Sequence, residues 1–486
     1  MFTGANSNGI ISILLILGPC LAVLYHITVL IFLASFGEIP WNSNLILFNG
    51  ALYWRLALMV VVLSLDKADP NQQYEYDNHY YIIIFSRYQY QLVMHTIRIL
   101  FSLIPSLYFI RQTRRFVAGP EPNITMNIMN MMTDKVVIIT GANTGIGKET
   151  ARQLAARGAT VILACRDEIK AKQAMQDIQS SMSTTIRQQQ QNTNSTKHKG
   201  CRLFFLQLDL SSLESVRKAA TTFATMNLND ATVTTEDDDD NNNNKNNNNK
   251  NGTNKLDVLI NNAGVMFSEK HMSQDGFEMC MQANHLGHFL FTLLLLPHMN
   301  QHREHHLQQQ QQQQPQQQTI TEDSPRILNL TSITYKMATA NGGQFNFQDY
   351  NCNDRPYTLF TTYSQSKLAN ILFTKELARR YPSILSLAIN PGIVRTDVTR
   401  NMSAFLQYGN AMFGFLVQCY QKTPTEGAYS SVWGATIPTT VELLLPPSGS
   451  FIYNSKPEPT HEYCQNEHAA RQLWEWSESM VQWKSN

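Results

Sequence analysis

Residues 363–367 read Tyr-Ser-Gln-Ser-Lys, which places a phenol and an ammonium group four positions apart. On a helix this spacing puts both side chains on one face. A phenol ordinarily titrates at about pH 10, too high for efficient proton exchange near neutrality. The Lys367 ammonium should favour the phenolate and lower the pKa of Tyr363 toward the working range. The pair is a candidate acid–base group, although this spacing alone is common on helix surfaces.

Two further polar residues stand where such a reaction needs them. Ser332 ends a predicted strand, where its hydroxyl can hold the oxygen of a substrate. Asn284 lies in the helix after the preceding strand and is placed to anchor a water-mediated proton relay. Their order along the chain, after a glycine-rich turn and ahead of Tyr363 and Lys367, indicates a single site.

The glycine-rich turn lies in the segment 135–150, KVVIITGANTGIGKET, which has the pattern of a strand, a turn and a helix. Its β-branched run is typical of a buried parallel strand. Glycines here let the backbone approach a pyrophosphate, whose charge lies against the free N–H groups of the helix start. An ordinary strand–helix turn is the alternative, which the spacing and context disfavour. The expected cofactor contacts in this segment are Gly141, Asn143, Thr144, Gly145, Ile146 and Gly147.

The end of the second predicted strand indicates which dinucleotide is bound. An NAD site places a carboxylate there to bind the ribose 2′-hydroxyl, but residues 164–166 of this chain are Ala-Cys-Arg. The Arg166 guanidinium, with the Lys148 ammonium after the glycine turn, suits a 2′-phosphate. The alternative is a solvated Arg166 that pairs with Asp167 or Glu168. The pattern favours NADP, with NADPH as its reduced form.

Two later strand ends complete the predicted nucleotide site. The third strand ends in Asp-Leu, which is placed to meet the adenine, and the fourth ends in Asn-Asn-Ala-Gly beside the expected ribose. The contacts predicted there are Asp209, Leu210, Asn262, Ala263 and Gly264.

Six short apolar segments alternate with helical patterns and predict the strands that position these groups. This alternation predicts an α/β fold with a Rossmann-type, doubly wound parallel sheet and helices on both faces. The predicted strands are 135–140, 160–165, 203–208, 256–260, 326–330 and 385–389.

Polar low-complexity inserts interrupt the alternation at 181–200, 229–254 and 301–323. Each falls between a helix and the next strand, so we expect it at the amino ends of the strands, away from the ligand-binding edge. Their composition does not build a core. Four histidines between 298 and 306 could suggest a metal site, but they lead into polyglutamine, and we expect no metal.

The N-terminal region, 1–115, predicts a membrane anchor of one to three transmembrane helices, followed by a linker, 116–134, and a catalytic domain, 135–480. Residues 9–36 carry no formal charge and are long enough to span a bilayer. Weaker candidates follow at 44–64 and 81–110, because both contain basic residues.

Basic residues after the third apolar stretch indicate the orientation of this anchor. Positive charge beside a span favours the cytosolic side, so the catalytic domain is expected to face the cytosol. The residues that carry this charge are Arg111, Arg114 and Arg115.

Overall composition excludes some partners. A formal net charge of +1 points to neither nucleic acid nor an acidic partner. Seven cysteines are scattered without a C-x-x-C pair, which indicates reduced thiols rather than a disulfide framework.

Residues 403–420 are unusually apolar, as a segment that closes over a lipid or dips into a membrane surface would be. A helix packing its apolar side on the core is the alternative.

The ordered motifs TGANTGIG, NNAG, the strand-end Ser332, YSQSK and the Pro-Gly at 391–392 resemble the short-chain dehydrogenase/reductase family over 135–480. Within it, LINNAGVM, ANHLGHFL, SKLANILFTKELARR and KTPTEGAYSS are similar to the retinol dehydrogenase branch. FIYN and QLWEWSESM are also similar to the X-linked dehydrogenase/reductase member, a polyprenoid enzyme. The chain departs from the family in its inserts and its three apolar N-terminal stretches.

The resemblance implies roles for particular residues. Tyr363 and Lys367 would contact the cofactor as well as the substrate, and the turn after the sixth strand would lie against the nicotinamide through Pro391, Gly392 and Thr396. The implied catalytic tetrad is Asn284, Ser332, Tyr363 and Lys367.

Together these features predict a membrane-bound, NADP-dependent oxidoreductase that interconverts a hydrophobic, retinoid-like alcohol and its aldehyde or ketone. The endoplasmic reticulum or another internal membrane would be its location, and a homo-oligomer is compatible with this prediction. Within enzymes the alternative is a steroid or polyprenoid dehydrogenase. From another class, the alternative is a catalytically idle membrane scaffold, which would not need all four tetrad residues.

Overall fold

A computed structural model describes residues 117–121, 132–190, 202–228, 254–309, 320–321, 324–340, 343–395, 421–438 and 445–483. The three N-terminal apolar stretches and the segment 403–420 lie outside these residues. The architecture below belongs to the compact unit formed by 118–407 and 422–486.

Strands and helices alternate along most of this unit, and each predicted strand lies within two residues of an observed one. The first half contains β1 (Val136–Thr140), α1 (Gly145–Ala155), β2 (Thr160–Cys165), α2 (Glu168–Gln190), β3 (Arg202–Gln207), α3 (Leu213–Thr225) and β4 (Val258–Asn261). Next come α4 (Met279–Met281), a π-helical turn (Gln282–Leu286), α5 (Gly287–Gln309), β5 (Arg326–Leu330), α6 (Tyr335–Thr339), α7 (Leu359–Arg380) and β6 (Leu385–Asn390). The remainder is α8 (Pro424–Thr436), β7 (Phe451–Tyr453), β8 (Lys456–Glu458), a 3₁₀ turn (Glu462–Gln465) and α9 (Glu467–Met480).

The strands form one sheet in the order β3-β2-β1-β4-β5-β6-β7-β8. All neighbours from β3 to β7 are parallel, and only β8 pairs antiparallel, with β7. Val137 pairs with Val161 of β2 on one side and Val258 of β4 on the other. Successive strands are therefore added toward one side of the sheet from β1 to β3 and toward the other side from β4 onward. A doubly wound sheet opens its ligand crevice at this change, between β1 and β4.

Alternating side chains of β1 show that both faces of the sheet are covered. Ile138 belongs to a core cluster with side chains from α3, α5, α7 and α9. Val137 and Ile139 belong to a separate cluster with α1, α2 and α8. A strand buried on both faces needs a continuous apolar run, which is the pattern that predicted it. The predicted parallel sheet with helices on both faces is confirmed.

One segment in the described ranges, Met279–Met299, is long and apolar enough to cross a membrane, but 89% of its most apolar window is buried within the protein. It is a core helix, because its side chains fill the space between the sheet and α3 and α7.

Two of the polar inserts begin as helix rather than as loop. Helix α2 continues to Gln190 and α5 continues to Gln309, consistent with the helix propensity of glutamine and arginine. The residues that flank the insert after α3 are held together. The Asn254 side chain donates to the carbonyl oxygens of Phe223 and Met226, both at 2.6 Å.

Because Asn254 holds the end of this insert at the end of α3, a short connection should replace the residues between. We expect substitution of residues 229–253 by a Gly/Ser linker to leave the melting temperature of the protein unchanged, as measured by calorimetry. The control Asn254→Ala, in the full chain, should lower the free energy of unfolding by about 1–2 kcal/mol, because two hydrogen bonds are lost. A large loss of stability in the linker variant alone would contradict this expectation.

Candidate active site

The glycine turn follows β1 at the carboxyl edge of the sheet. Gly141 and Gly145 have φ values of +64° and +56°, in the left-handed region that favours glycine. Gly147 has no room for a side chain, since a Cβ there would lie 2.5 Å from both the Gly141 carbonyl oxygen and Asn262 Nδ2. Helix α1 therefore begins in close contact with the ends of β1 and β4.

The start of α1 fits the pyrophosphate of a dinucleotide. Thr144 is the N-cap residue, yet its side chain makes no capping hydrogen bond. The first amides of a helix have no intrahelical acceptor, and the helix dipole favours an anion there. Because the side chain does not cap these amides and glycine keeps the backbone open, the turn provides the donors that a diphosphate needs.

The end of β4 is tied to β1 by Thr140, which sequence reasoning did not single out. Thr140 Oγ1 accepts the backbone N–H groups of Asn262 and Ala263, each at 2.9 Å, and lies 2.8 Å from His288 Nε2. The Asn262 side chain donates to the Thr140 carbonyl oxygen at 2.8 Å. The predicted ribose contact Asn262 thus also supports the glycine turn.

The predicted adenine contacts lie where β3 ends. One Asp209 oxygen accepts from the Ser211 amide at 3.0 Å and from the Ser211 hydroxyl at 2.6 Å. The Leu210 carbonyl oxygen accepts from Gln282 Nε2 at 3.1 Å. Gln282, another residue not predicted, thereby connects this strand end to the π-helical turn that carries Asn284.

Arg166 follows β2 and is exposed. Within the described part of the chain its guanidinium makes no hydrogen bond or ion pair. Neither proposed neighbour pairs with it, because Asp167 bonds Lys170 at 3.3 Å and Glu168 bonds Lys172 at 2.8 Å. Its position and its uncommitted charge fit a 2′-phosphate.

Lys148, the second cation expected near that phosphate, has a different partner. Its Nζ lies 2.7 Å from Asp177 on α2, and Asp177 also binds Arg152 at 2.6 Å. The two cations lower the pKa of Asp177 to about 2, since both bond its carboxylate. Lys148 therefore ties α1 to α2.

Tyr363, Lys367 and Ser332 meet at the carboxyl end of β5. The Ser332 hydroxyl lies close to the Tyr363 phenol and favours its ionised form. Lys367 Nζ lies 5.3 Å from the centre of the Tyr363 ring and donates to the Leu330 carbonyl oxygen at 3.2 Å. Tyr363 and Lys367 therefore lie on one face of α7, as their spacing predicts.

Burial dominates the electrostatics of this pair. It lowers the pKa of Lys367 to about 8, because the ammonium is taken out of water. It raises the pKa of Tyr363, an effect that the nearby Ser332 hydroxyl opposes. This direction is opposite to the one expected from Lys367 alone, since loss of water penalises the phenolate more than its protein neighbours favour it.

Asn284 is fully buried in the π-helical turn, and its side chain is occupied by protein partners. Its Oδ1 accepts the Val265 amide at 2.8 Å, while Nδ2 donates to the Val265 carbonyl oxygen and to Ser366 Oγ, both at 3.0 Å. A Cβ on Gly264 would lie 3.6 Å from both Asn284 Oδ1 and Lys367 Nζ. Asn284 thus joins the end of β4 to the helix of Tyr363. The water relay expected of it remains a prediction.

The turn at Pro391 and Gly392 follows β6 at the same edge of the sheet. Gly392 has a φ of +81°, and its amide donates to Asn390 Oδ1 at 3.1 Å. A Cβ on Gly392 would lie 3.0 Å from Cε of Lys422, a buried residue not predicted from sequence, whose Nζ donates to Asn454 Oδ1 at 2.7 Å. The predicted contact Thr396 lies outside the described residues.

The family model described as short chain dehydrogenase matches residues 135–226 and 198–306. The chain is 33% identical over 380 residues to retinol dehydrogenase 12 of Bos taurus, covering 77% of this chain and 94% of that protein. It is 34% identical over 354 residues to retinol dehydrogenase 14 of Mus musculus, covering 72% and 87%.

Among solved structures, an uncharacterized protein from Mycobacterium paratuberculosis aligns at 27% identity with a TM-score of 0.47, covering 74% of this chain and 98% of that one. From the sequence likeness to the retinol dehydrogenases, over most of their length, the chain belongs to the short-chain dehydrogenase/reductase family of oxidoreductases.

Proposed function

We propose that this protein is an NADP-dependent oxidoreductase that interconverts a hydrophobic, retinoid-like alcohol and its aldehyde or ketone. The observation that carries the proposal is the meeting of the Tyr363 phenol, the Ser332 hydroxyl and the Lys367 ammonium at the sheet edge that also carries the glycine turn. The names of the relatives, retinol dehydrogenases 12 and 14, support a retinoid-like alcohol.

The nicotinamide, when bound, supplies the acceptor of a hydride in alcohol oxidation and its donor in carbonyl reduction. Ser332 holds the substrate oxygen by a hydrogen bond. Tyr363 takes the hydroxyl proton during oxidation and returns a proton to the carbonyl oxygen during reduction. Lys367 lowers the free energy of the phenolate through its charge, and Asn284 holds the strand end that faces Lys367. The residues that would hold the dinucleotide are those of the glycine turn and the ends of β2, β3 and β4.

The preference for NADP rests on the end of β2. Cys165 is buried and neutral there, since burial raises the pKa of its thiol to about 12. Arg166, the next residue, is an exposed cation with an uncommitted guanidinium. An uncommitted cation just after the strand, with Cys165 rather than a carboxylate at the strand end, attracts a phosphate ester more than a hydroxyl.

A membrane location follows from the apolar N-terminal stretches and the apolar segment 403–420. These features favour a substrate that partitions into lipid. A steroid or polyprenoid fits the same features and is the second candidate substrate class. The idle scaffold is disfavoured because the structure brings Ser332, Tyr363 and Lys367 together.

Tyr363→Phe should lower turnover of retinaldehyde with NADPH by about 10²–10⁴-fold, because the variant lacks the proton that the carbonyl oxygen must receive. NADPH binding, followed by its fluorescence, should be retained. The control Tyr381→Phe removes a hydroxyl at the far end of α7 and should leave turnover unchanged. Near-normal turnover in Tyr363→Phe would refute its role as the proton donor.

Arg166→Ala should weaken NADPH binding roughly tenfold to a hundredfold and leave NADH binding unchanged, since one charge-assisted hydrogen bond contributes about 1.5–3 kcal/mol. Titration of both nucleotides measures this. Lys172→Ala is the matched control, because it removes an exposed cation from the adjoining helix without touching the end of β2. Equal weakening of both nucleotides by Arg166→Ala would show that Arg166 has only a structural role.

The proposed cytosolic orientation predicts that two acceptor sequences carry no glycan. Asn194-Ser195-Thr196 and Asn251-Gly252-Thr253 lie in polar inserts, where a lumenal transferase would reach them. We therefore expect no mobility shift on glycosidase treatment of the protein from cells. A shift that Asn194→Gln with Asn251→Gln abolishes would place the catalytic domain in the lumen.

A further inference from the structure

Glu278 is a fully buried carboxylate at the start of the helical segment that carries Asn284. Its Oε1 accepts the Cys280 amide at 3.0 Å and its Oε2 accepts the Met281 amide at 2.9 Å, so both oxygens cap the helix. Its own amide donates to Asn351 Oδ1 at 2.8 Å. Within the described ranges no lysine or arginine pairs with it. A buried carboxylate without a cation is costly unless hydrogen bonds hold it in place.

The same carboxylate reaches the other catalytic helix. The Tyr357 hydroxyl donates to Glu278 Oε1 at 3.2 Å and lies 3.3 Å from the Phe267 carbonyl oxygen. Tyr357 directly precedes Thr358, the N-cap residue of α7. The Thr362 side chain lies near both the Tyr357 hydroxyl and the Cys280 thiol, which lie at the two helix starts. The hydrogen bonds of the Glu278 carboxylate therefore join the beginnings of both helices.

The two helices have a second connection further along. Asn284 Nδ2 donates to Ser366 Oγ at 3.0 Å. A third contact lies one turn further on, where His285 Nδ1 is 3.4 Å from Asn370 Oδ1. Contacts at several levels therefore fix the relative rotation of the two helices, and Glu278 with Tyr357 provides the one at their starts. The first connection is Glu278 with Tyr357, and the second is Asn284 with Ser366.

We propose that Glu278 is a positioning residue that, through Tyr357, sets the placement of Tyr363 relative to Asn284. It touches neither substrate nor cofactor and acts through the two helix starts. This inference rests on the proposed function for the roles of Tyr363 and Asn284. Displacing a reacting group by about 1 Å can lower the rate of a positioned reaction by about 10²-fold, so a distant carboxylate can influence turnover without contacting the reactants.

Two variants separate the parts of this arrangement. Glu278→Gln keeps the size of the side chain but turns an acceptor into an NH₂ group, which cannot accept the amide that faces it. Tyr357→Phe leaves the cap intact and removes the hydroxyl that contacts Glu278 and the Phe267 carbonyl oxygen. Each should lower kcat for retinaldehyde with NADPH roughly 10- to 100-fold, with the NADPH Kd changed by less than about twofold. The double variant should be no slower than the slower single one, because both remove the same connection.

Asn466→Ala is the matched control. Asn466 Oδ1 accepts two amides, those of His468 and Ala469, at the start of α9, which is the same capping arrangement on a helix that carries none of the proposed catalytic residues. Its loss should lower the melting temperature and leave kcat unchanged. If Glu278→Gln does not fold, Tyr357→Phe decides the proposal, since it leaves the cap in place.

Amide hydrogen exchange provides a readout that needs no substrate. Glu278→Gln should speed exchange over residues 280–286 roughly tenfold, since a capping hydrogen bond is lost, whereas Asn466→Ala should not. Wild-type kcat in Tyr357→Phe, or unchanged exchange in Glu278→Gln, would overturn the positioning role. Normal turnover in Tyr363→Phe would instead refute the proposed function. If the wild-type protein does not reduce retinaldehyde, the exchange experiment alone decides.

Discussion

Burial of the Lys367 ammonium is the constraint on which the site depends. A buried cation must have hydrogen-bond acceptors, and the Leu330 carbonyl oxygen at the end of β5 accepts from Nζ at 3.2 Å. The backbone carbonyl of Lys367 is held in turn by Thr331 Oγ1 at 2.8 Å. Helix α7 is therefore attached to the end of β5 at the residue that must face Tyr363. The same burial brings the pKa of Lys367 to about 8, so the ammonium is retained at neutral pH and lost above about pH 8.

Polar side chains at the carboxyl ends of the strands extend this attachment to the rest of the site. Asn261 Nδ2 donates to Asn329 Oδ1 at 2.7 Å, and Asn329 Nδ2 donates to Thr374 Oγ1 at 3.0 Å, which links β4, β5 and α7. Thr140 Oγ1 binds the two amides that follow β4. Such interactions strengthen one another where water is excluded. The sheet edge is therefore a rigid base for both the dinucleotide and the reacting groups.

The sheet also separates the chemistry from the variable parts of the chain. The polar inserts enter before β3, β4 and β5, at the opposite edge from the glycine turn and Ser332. Asn254 binds the end of α3, so the longest asparagine-rich tract leaves and re-enters the domain at one place. Length added at such a point costs little loop-closure entropy. A large polar insertion is therefore compatible with an unchanged active-site edge.

The sequence by itself determined the strands, the glycine turn and the pairing of Tyr363 with Lys367, because each depends on residues close together in the chain. The continuous apolar run of β1 and the four-residue spacing on α7 are local patterns, and the structure follows both. Only the tertiary structure decided which partner each polar group takes. Lys148 binds Asp177, and Glu278 joins two helix starts through Tyr357, since these partners are far apart in sequence and no local spacing marks them. Burial was likewise a tertiary result, and it reversed the expected direction of the Tyr363 pKa because desolvation depends on everything packed around the phenol.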